Sequence, residues 1–190
     1  RDPEMSRGLG DVYKRQVMVP LMLSAGSTDF WFRHFSVEDG LSSSAVRAIM
    51  QDKYGFMWLG TDDGLNRYDG TTIKIYRLNP EGVNDYISFL YDTTDRIWIG
   101  TGDGVYIYDY ETENFEPFKL LTAKGDSIKT NVNHIAEDRD GNLWFSTVGQ
   151  GIFKYNVSKR YLERYEFKDA DGLMASVLID SCLLYTSDAA

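Results

Sequence analysis

One pattern occurs three times along this chain of 190 residues, and it limits what the chain can fold into more than any other feature. The segment IMQDKYGFMWLGTDDGLNRYDG (49–70) is echoed by FLYDTTDRIWIGTGDGVYIYDY (89–110) and again by IAEDRDGNLWFSTVGQGIFKYN (135–156). Trp58, Trp98 and Trp144 stand 40 and then 46 residues apart. Asp52, Asp92 and Asp138 keep the same two spacings, and so do Thr61, Thr101 and Thr147. Three columns in register are a poor match to chance. DGL at 171–173 repeats DGL at 39–41 and opens a fourth copy. Units of this kind bury their apolar faces only by stacking on one another.

A period of about 40–50 residues is that of a four-stranded propeller blade. Each copy reads as strands a to d. Strand a is expected near 46–51, 86–91 and 132–137, and strand b near 57–61, 97–101 and 143–147. Strand c falls near 65–68, 105–108 and 152–155, and strand d near 72–77, 114–119 and 161–167. Asp, Asn and Gly between a and b make tight turns, because Asp bonds its own backbone and Gly accepts positive φ. The b strands MWLGT, IWIGT and LWFST are apolar on both faces, as a strand covered on both sides must be. A sandwich of unequal strands would not need the same Trp and Asp in every unit. The expected fold is therefore all-β: an incomplete β-propeller of about three four-stranded blades (40–80, 84–120 and 129–168), with the start of a fourth at 171, within residues 28–181.

Composition narrows the function classes. Aromatic residues at 14% favour strands. The net charge of −9, with no basic run in the folded part, argues against nucleic-acid contact. The single cysteine, Cys182, allows neither a disulfide framework nor a multi-cysteine metal site.

The ends break the pattern. VMVPLMLSAGS (17–27) is too short to span a bilayer and reads as the remnant of a secretory signal peptide; the other reading is a buried strand. DVYKRQ (11–16) and CLLYTSDAA (182–190) resemble translated adapter sequence, so 1–16 and 182–190 are set aside as non-native tails.

Each chemical-looking motif has a structural competitor. Asp62 and Asp63 could hold a cation with Asp52 or Asp69, yet TDDGLNRYDG lacks the alternating acids of a calcium loop. The acidic pair is absent from the other copies, whereas Gly64, Gly104 and Gly151 are constant and suit a tight b–c turn. Trp58, Trp98 and Trp144 could form a sugar platform, but one large aromatic per unit suits packing between blades. His34 and His134 are too few for a zinc site, and His134 falls in an a strand. Ser42-Ser43-Ser44 lacks a nucleophile elbow, and GTGDG (100–104) opens a strand rather than a phosphate-binding helix. Nothing calls for a cofactor, a metal ion or a catalytic residue.

With strands a and c antiparallel to b and d, the b–c turns and d–a connections share one face, where propeller ligands are usually bound. Arg47, Asp62, Asp63, Asp103 and Gln150 fall there, with the long loop KLLTAKGDSIKTN (119–131), and are the candidate ligand-facing residues. Arg47 joins them because it begins an inner strand.

The stretch FRHFSVEDGLSSSAVRAIMQDKYGFMWLGTDDGLNRYDG (32–70) resembles the opening of two-component regulator propeller repeats. EDGLSSSxV, the Asp-x-x-Gly-x-x-Trp-x-Gly-Thr core and the Gly-Leu-x-Arg-Tyr-Asp-Gly close carry the likeness. It extends over about 30–180, more loosely in the third copy, where Ser146 replaces a glycine. The resemblance implies the periplasmic sensor region of a Bacteroidetes hybrid two-component system. It also implies a longer protein, with two seven-bladed propellers, an immunoglobulin-like module, a membrane helix, a histidine kinase, a receiver and a DNA-binding domain. The implied ligands are oligosaccharides, the implied output is control of polysaccharide-utilisation genes, and the implied partners are the remaining blades and a second sensor in a homodimer. A secreted propeller lyase or hydrolase acting on glycans, or an interaction scaffold, stays open. Three blades cannot close a ring, so residues 27–181 alone are expected to aggregate. DFWFRHF (29–35) is read as the outer strand of a closing blade.

Overall fold

The computed structural model describes residues 32–78 and 86–166, and the backbone of two strands at 174–179 and 184–188. The tail 1–16, the apolar run 17–27 and the DGL at 171–173 lie outside them. His34–Ala190 pack as one compact unit; of the other, Arg1–Arg33, only residues 32 and 33 are described.

Three antiparallel four-stranded meanders follow one another. The first contains β1 (Val46–Gln51), β2 (Met57–Thr61), β3 (Gly64–Tyr68) and β4 (Ile73–Tyr76). The second contains β5 (Ile87–Asp92), β6 (Arg96–Thr101), β7 (Gly104–Asp109) and β8 (Asn114–Pro117). The third contains β9 (Val132–Glu137), β10 (Leu143–Thr147), β11 (Gly151–Asn156) and β12 (Tyr161–Tyr165). A hairpin of β13 (Met174–Ile179) and β14 (Leu184–Asp188) starts a fourth. β14 falls inside the adapter-like tail and pairs with β13 all the same. The a strands touch in succession, β1 with β5, β5 with β9 and β9 with β13, which is the blade order of an incomplete β-propeller. Relative to expectation, strand c starts at the turn glycine in each blade, and the d strands are shorter. Residues 32–35 pair with no strand among the described residues, and 29–31, the start of the closing-blade reading, lie outside them; Phe35 packs edge-on against Tyr68 at 4.8 Å.

The tryptophans are packing residues. Trp58 is fully buried between the first two sheets, against Tyr108 at 5.1 Å and Phe115 at 6.5 Å. Trp98 repeats the arrangement between sheets two and three, against Phe145 at 5.7 Å and Tyr155 at 5.8 Å. Trp144 stacks on Tyr165 of its own sheet at 5.7 Å. Each such pair adds about 0.5–1.5 kcal/mol beyond the area it buries.

The repeated aspartate is more than a turn residue. Asp52 Oδ1 accepts from the backbone N–H groups of Tyr54 and Phe56, both at 2.9 Å, while Oδ2 accepts from Trp58 Nε1 at 2.7 Å. Asp138 does the same with Asp140 and Asn142 at 3.0 and 2.8 Å, and with Trp144 at 2.9 Å. One carboxylate thus ties the a–b turn to the b strand.

The second blade corrects the sequence alignment. Tyr91 faces Trp98 across the ladder, where Met50 faces Trp58 and Ala136 faces Trp144. Asp92 therefore occupies the ladder place of Gln51 and Glu137, not that of Asp52. A shorter turn, closed by Thr93 N–H donating to Arg96 O at 2.9 Å, slides the strand by one residue. Such a slip turns every side chain to the other face, and the Asp92 carboxylate accepts from Tyr110 Oη at 2.9 Å.

Two glycine columns have different causes. Gly64, Gly104 and Gly151 have φ of +117°, +142° and +81°, as the b–c turn requires. Thr61, Thr101 and Thr147 close that turn through Oγ1 at 2.9, 3.1 and 2.6 Å from the carbonyl of the same glycines. Gly60 and Gly100 are not turn residues. A Cβ there would come within 2.6 Å of Ile87 Cγ2 and 3.0 Å of Val132 O, so they let the next blade's inner strand approach.

The EDGLSSS segment lies against the first sheet. A 3-10 turn, Val37–Asp39, is capped by Ser36. Leu41 is buried. Ser42 N–H donates to Asn66 Oδ1 at 2.9 Å, and Ser42 Oγ sits 2.8 Å from Thr61 Oγ1. Ser42 serves as a tie between segment and sheet.

Candidate ligand-binding face

The b–c turns and the starts of the a strands do share one face. Asp62 N–H donates to Ala45 O at 3.3 Å, Gly102 N–H to Tyr86 O at 3.1 Å and Val148 N–H to Asn131 O at 2.9 Å. The five candidates all lie along it, but they do not form one cluster.

On the first blade they form ion pairs. Arg47 makes a two-pronged contact with Asp62, Nε to Oδ1 at 2.8 Å and Nη2 to Oδ2 at 3.2 Å, and its guanidinium lies over the Tyr86 ring at 5.8 Å. Arg77 Nη2 donates to Asp63 Oδ2 at 2.8 Å, and Nη1 also contacts Asp63. Hydrogen bonds from Arg47 and Arg77 hold the Asp62 and Asp63 carboxyls below their ordinary range. Both pairs are well exposed, so solvent screens them.

On the second blade Asp103 Oδ1 lies 2.7 Å from Thr101 Oγ1. It borders a cavity of about 350 Å³ between the b–c turn and the long loop, with Tyr106, Phe118, Lys119 and Lys129 on its walls. Gln150 lies on the far side of that loop and clamps it. Its Oε1 accepts from Lys129 N–H at 2.9 Å and its Nε2 donates to Ser127 O at 3.2 Å. Ile128, between those two residues, is buried in the core of sheets two and three. The loop is thus anchored from below by an apolar residue and from the side by an amide.

The sequence did not single out Arg77, Tyr86 or Tyr106, whereas Lys119 and Lys129 belong to the candidate loop 119–131. Arg77 follows strand d and pairs across fourteen residues with Asp63, a relation set by the sheet. Among the described residues no group of three or more His, Cys, Asp or Glu could hold a metal ion. His134 lies on β9 beside Phe89 at 4.5 Å, and burial lowers its pKa.

The model of the two-component regulator propeller family matches residues 40–63 and 127–149, the first and third copies with the segment leading into each. In these two segments the chain is similar to that repeat. A histidine kinase of Formosa agariphila, named P4, is 54% identical to this chain over 61 residues, covering 32% of this chain and 4% of the kinase. Among solved structures, the extracellular domain of the BT3049 hybrid two-component system of B. thetaiotaomicron superposes with a TM-score of 0.72 at 26% identity, over 81% of this chain and 23% of that one. Virginiamycin B lyase of Staphylococcus aureus shares the fold alone, with a TM-score of 0.57 at 14% identity over 75% of this chain and 48% of that one. This chain therefore spans a small part of the proteins it resembles, 4% of the kinase and 23% of the BT3049 domain. Among its described residues no helix is long and apolar enough to cross a membrane.

Proposed function

We propose that the chain forms part of the periplasmic ligand-sensing region of a hybrid two-component system, and that the ligand is an oligosaccharide held on the b–c face. The observation carrying the site is the cavity of about 350 Å³ beside Asp103, placed where an anchored loop meets a blade rim. Its walls mix a carboxylate, two ammonium groups and two aromatic rings, a set that suits hydroxyl-bearing rings. The likeness to an extracellular sensor domain at 26% identity supports the sensing role. Binding there biases a homodimer between two arrangements through unequal affinity for them, and the kinase output changes accordingly; the genes controlled are those for polysaccharide use.

Calorimetry of the complete sensor region against an oligosaccharide panel tests this. Asp103→Asn combined with Lys129→Ala is expected to weaken binding tenfold or more without altering the melting transition. Unchanged affinity removes the site from this face.

A further inference from the structure

The enclosed side-chain atoms that find no hydrogen-bond partner among the described residues are Asn131 Oδ1, His134 Nδ1 and Ser146 Oγ, and all belong to the third blade. His134 and Ser146 face one another across the ladder of β9 and β10, so they project to the same side. Asn131 takes Val148 N–H on its carbonyl at 2.9 Å, two residues along from Ser146, and alternation puts that pair on the same side too. The core fixes which side it is. Leu143 and Phe145 alternate with Trp144 and Ser146 along β10, and they pack with Val132 and Ile135 against Trp98 of the second blade. The three atoms therefore lie on the other face, toward β13, which β9 and β10 both touch.

The same ladder position is apolar in the first two blades. Ala48 pairs with Gly60 and Phe89 with Gly100, a hydrocarbon opposite a residue without a side chain. The third blade pairs an imidazole with a hydroxyl. Ser146 is 0% exposed. Its side chain begins where a Cβ on Gly100 would already stand 3.0 Å from the carbonyl of the next inner strand. Buried polar groups without partners are costly and uncommon, so their gathering on one face calls for an occupant.

We propose that the seam between the third blade and β13 is an internal water site, with Ser146 Oγ, His134 Nδ1 and Asn131 Oδ1 as its protein partners. Burial lowers the His134 pKa, so its ring is neutral, with one donor and one acceptor nitrogen. The Asn131 oxygen only accepts, and the Ser146 hydroxyl does both. An occupant must therefore donate and accept without carrying charge. The set holds no carboxylate for a cation, and β13, of sequence MASVLI, adds no ionisable group. Water fits this description, and roughly two to four polar partners are what hold a buried one. The site shares no residue with the cavity beside Asp103 and does not depend on what binds there.

High-resolution crystallography of the full chain, with thermal unfolding of Ser146→Ala, His134→Phe and the double variant, tests this. An ordered water within hydrogen-bond distance of Ser146 Oγ and His134 Nδ1 is expected, and it is expected to vanish in the double variant. Each single variant is expected to lower the melting temperature by about 2–4 °C, because it strips a partner from a bonded water. The two losses are expected to be less than additive, since both act through the same site. A hydroxyl that bonds nothing gives the opposite sign, because its removal relieves a cost. A melting temperature that stays or rises in Ser146→Ala overturns the proposal, and so does density there that belongs to a β13 side chain. Should His134→Phe fail to fold, Ser146→Ala, which removes a single oxygen, decides alone.

Discussion

Asp52 and Trp58 are joined by a 2.7 Å hydrogen bond from the indole N–H to a carboxylate that is 5% exposed, and the same bond joins Asp138 to Trp144 in the third blade. The pair fastens a turn to the strand that carries the blade's main packing residue. Asp52→Ala removes one acceptor from a buried indole and another from two backbone N–H groups. It is expected to cost about 2–3 kcal/mol, the range for charged hydrogen bonds left unmade. Asp92→Ala, which releases the Tyr110 hydroxyl, is expected to cost about 1 kcal/mol. Urea unfolding followed by tryptophan fluorescence measures both, and equal costs would show that the register slip has no energetic consequence.

The b-strand glycines separate a clash with a side chain from a clash with backbone. Gly60→Ala places a Cβ 2.6 Å from Ile87 Cγ2 and is expected to cost about 1–3 kcal/mol through overpacking. Ile87→Ala in the same chain removes the nearest atom but leaves Cβ atoms at 3.0 Å on residue 87 and 3.3 Å on Ala48, so it is expected to relieve part of that cost. Gly100→Ala meets the Val132 carbonyl at 3.0 Å, where trimming a side chain gives no relief. A double-mutant cycle on thermal unfolding reads the coupling.

Acid sensitivity is expected from Asp138. Burial raises its pKa, but hydrogen bonds from Trp144 and Asn142 and the charge of Lys154 outweigh that and bring it to about 2. A carboxyl depressed in the folded state stabilises the fold above its unfolded pKa of about 4, and the contribution fades as pH falls toward the folded value. On the order of 2 kcal/mol is expected to disappear between about pH 4 and pH 2. Asp138→Asn is expected to flatten that part of the stability profile, and an unchanged slope counts against the assignment.

Gln150 makes the long loop a fixed wall of the cavity. Gln150→Ala is expected to raise hydrogen exchange at Lys129 and its neighbours while lowering global stability by only about 1 kcal/mol. A uniform rise across the third blade would assign Gln150 to the core of the fold.

The repeat made the blades legible before any coordinates. The b strands of the first and third copies have the bounds that the columns of Trp and Thr imply, and Gly64, Gly104 and Gly151 turn the chain where expected. Asp92 shows why the reading was incomplete. Its distance from Trp98 in sequence equals that in the other copies, yet a shorter turn puts it on the wrong face, and spacing carries no information about turn length. Gly60 and Gly100 resemble turn glycines in sequence, but what requires them lies on the neighbouring blade. Topology puts Arg47, Asp62, Asp63, Asp103 and Gln150 on the b–c rim, whereas the pairing of Asp63 with Arg77 and of Gln150 with the Lys129 N–H is set by the sheet and the loop.

By itself the sequence determined that the chain is a stack of four-stranded units with one buried aromatic each, because periodic local chemistry dictates periodic local structure. The tertiary structure alone decided what closes on each tryptophan. Tyr108 and Phe115 reach Trp58, and Phe145 and Tyr155 reach Trp98, only because two sheets meet, and turn length rather than spacing sets the register in which they do.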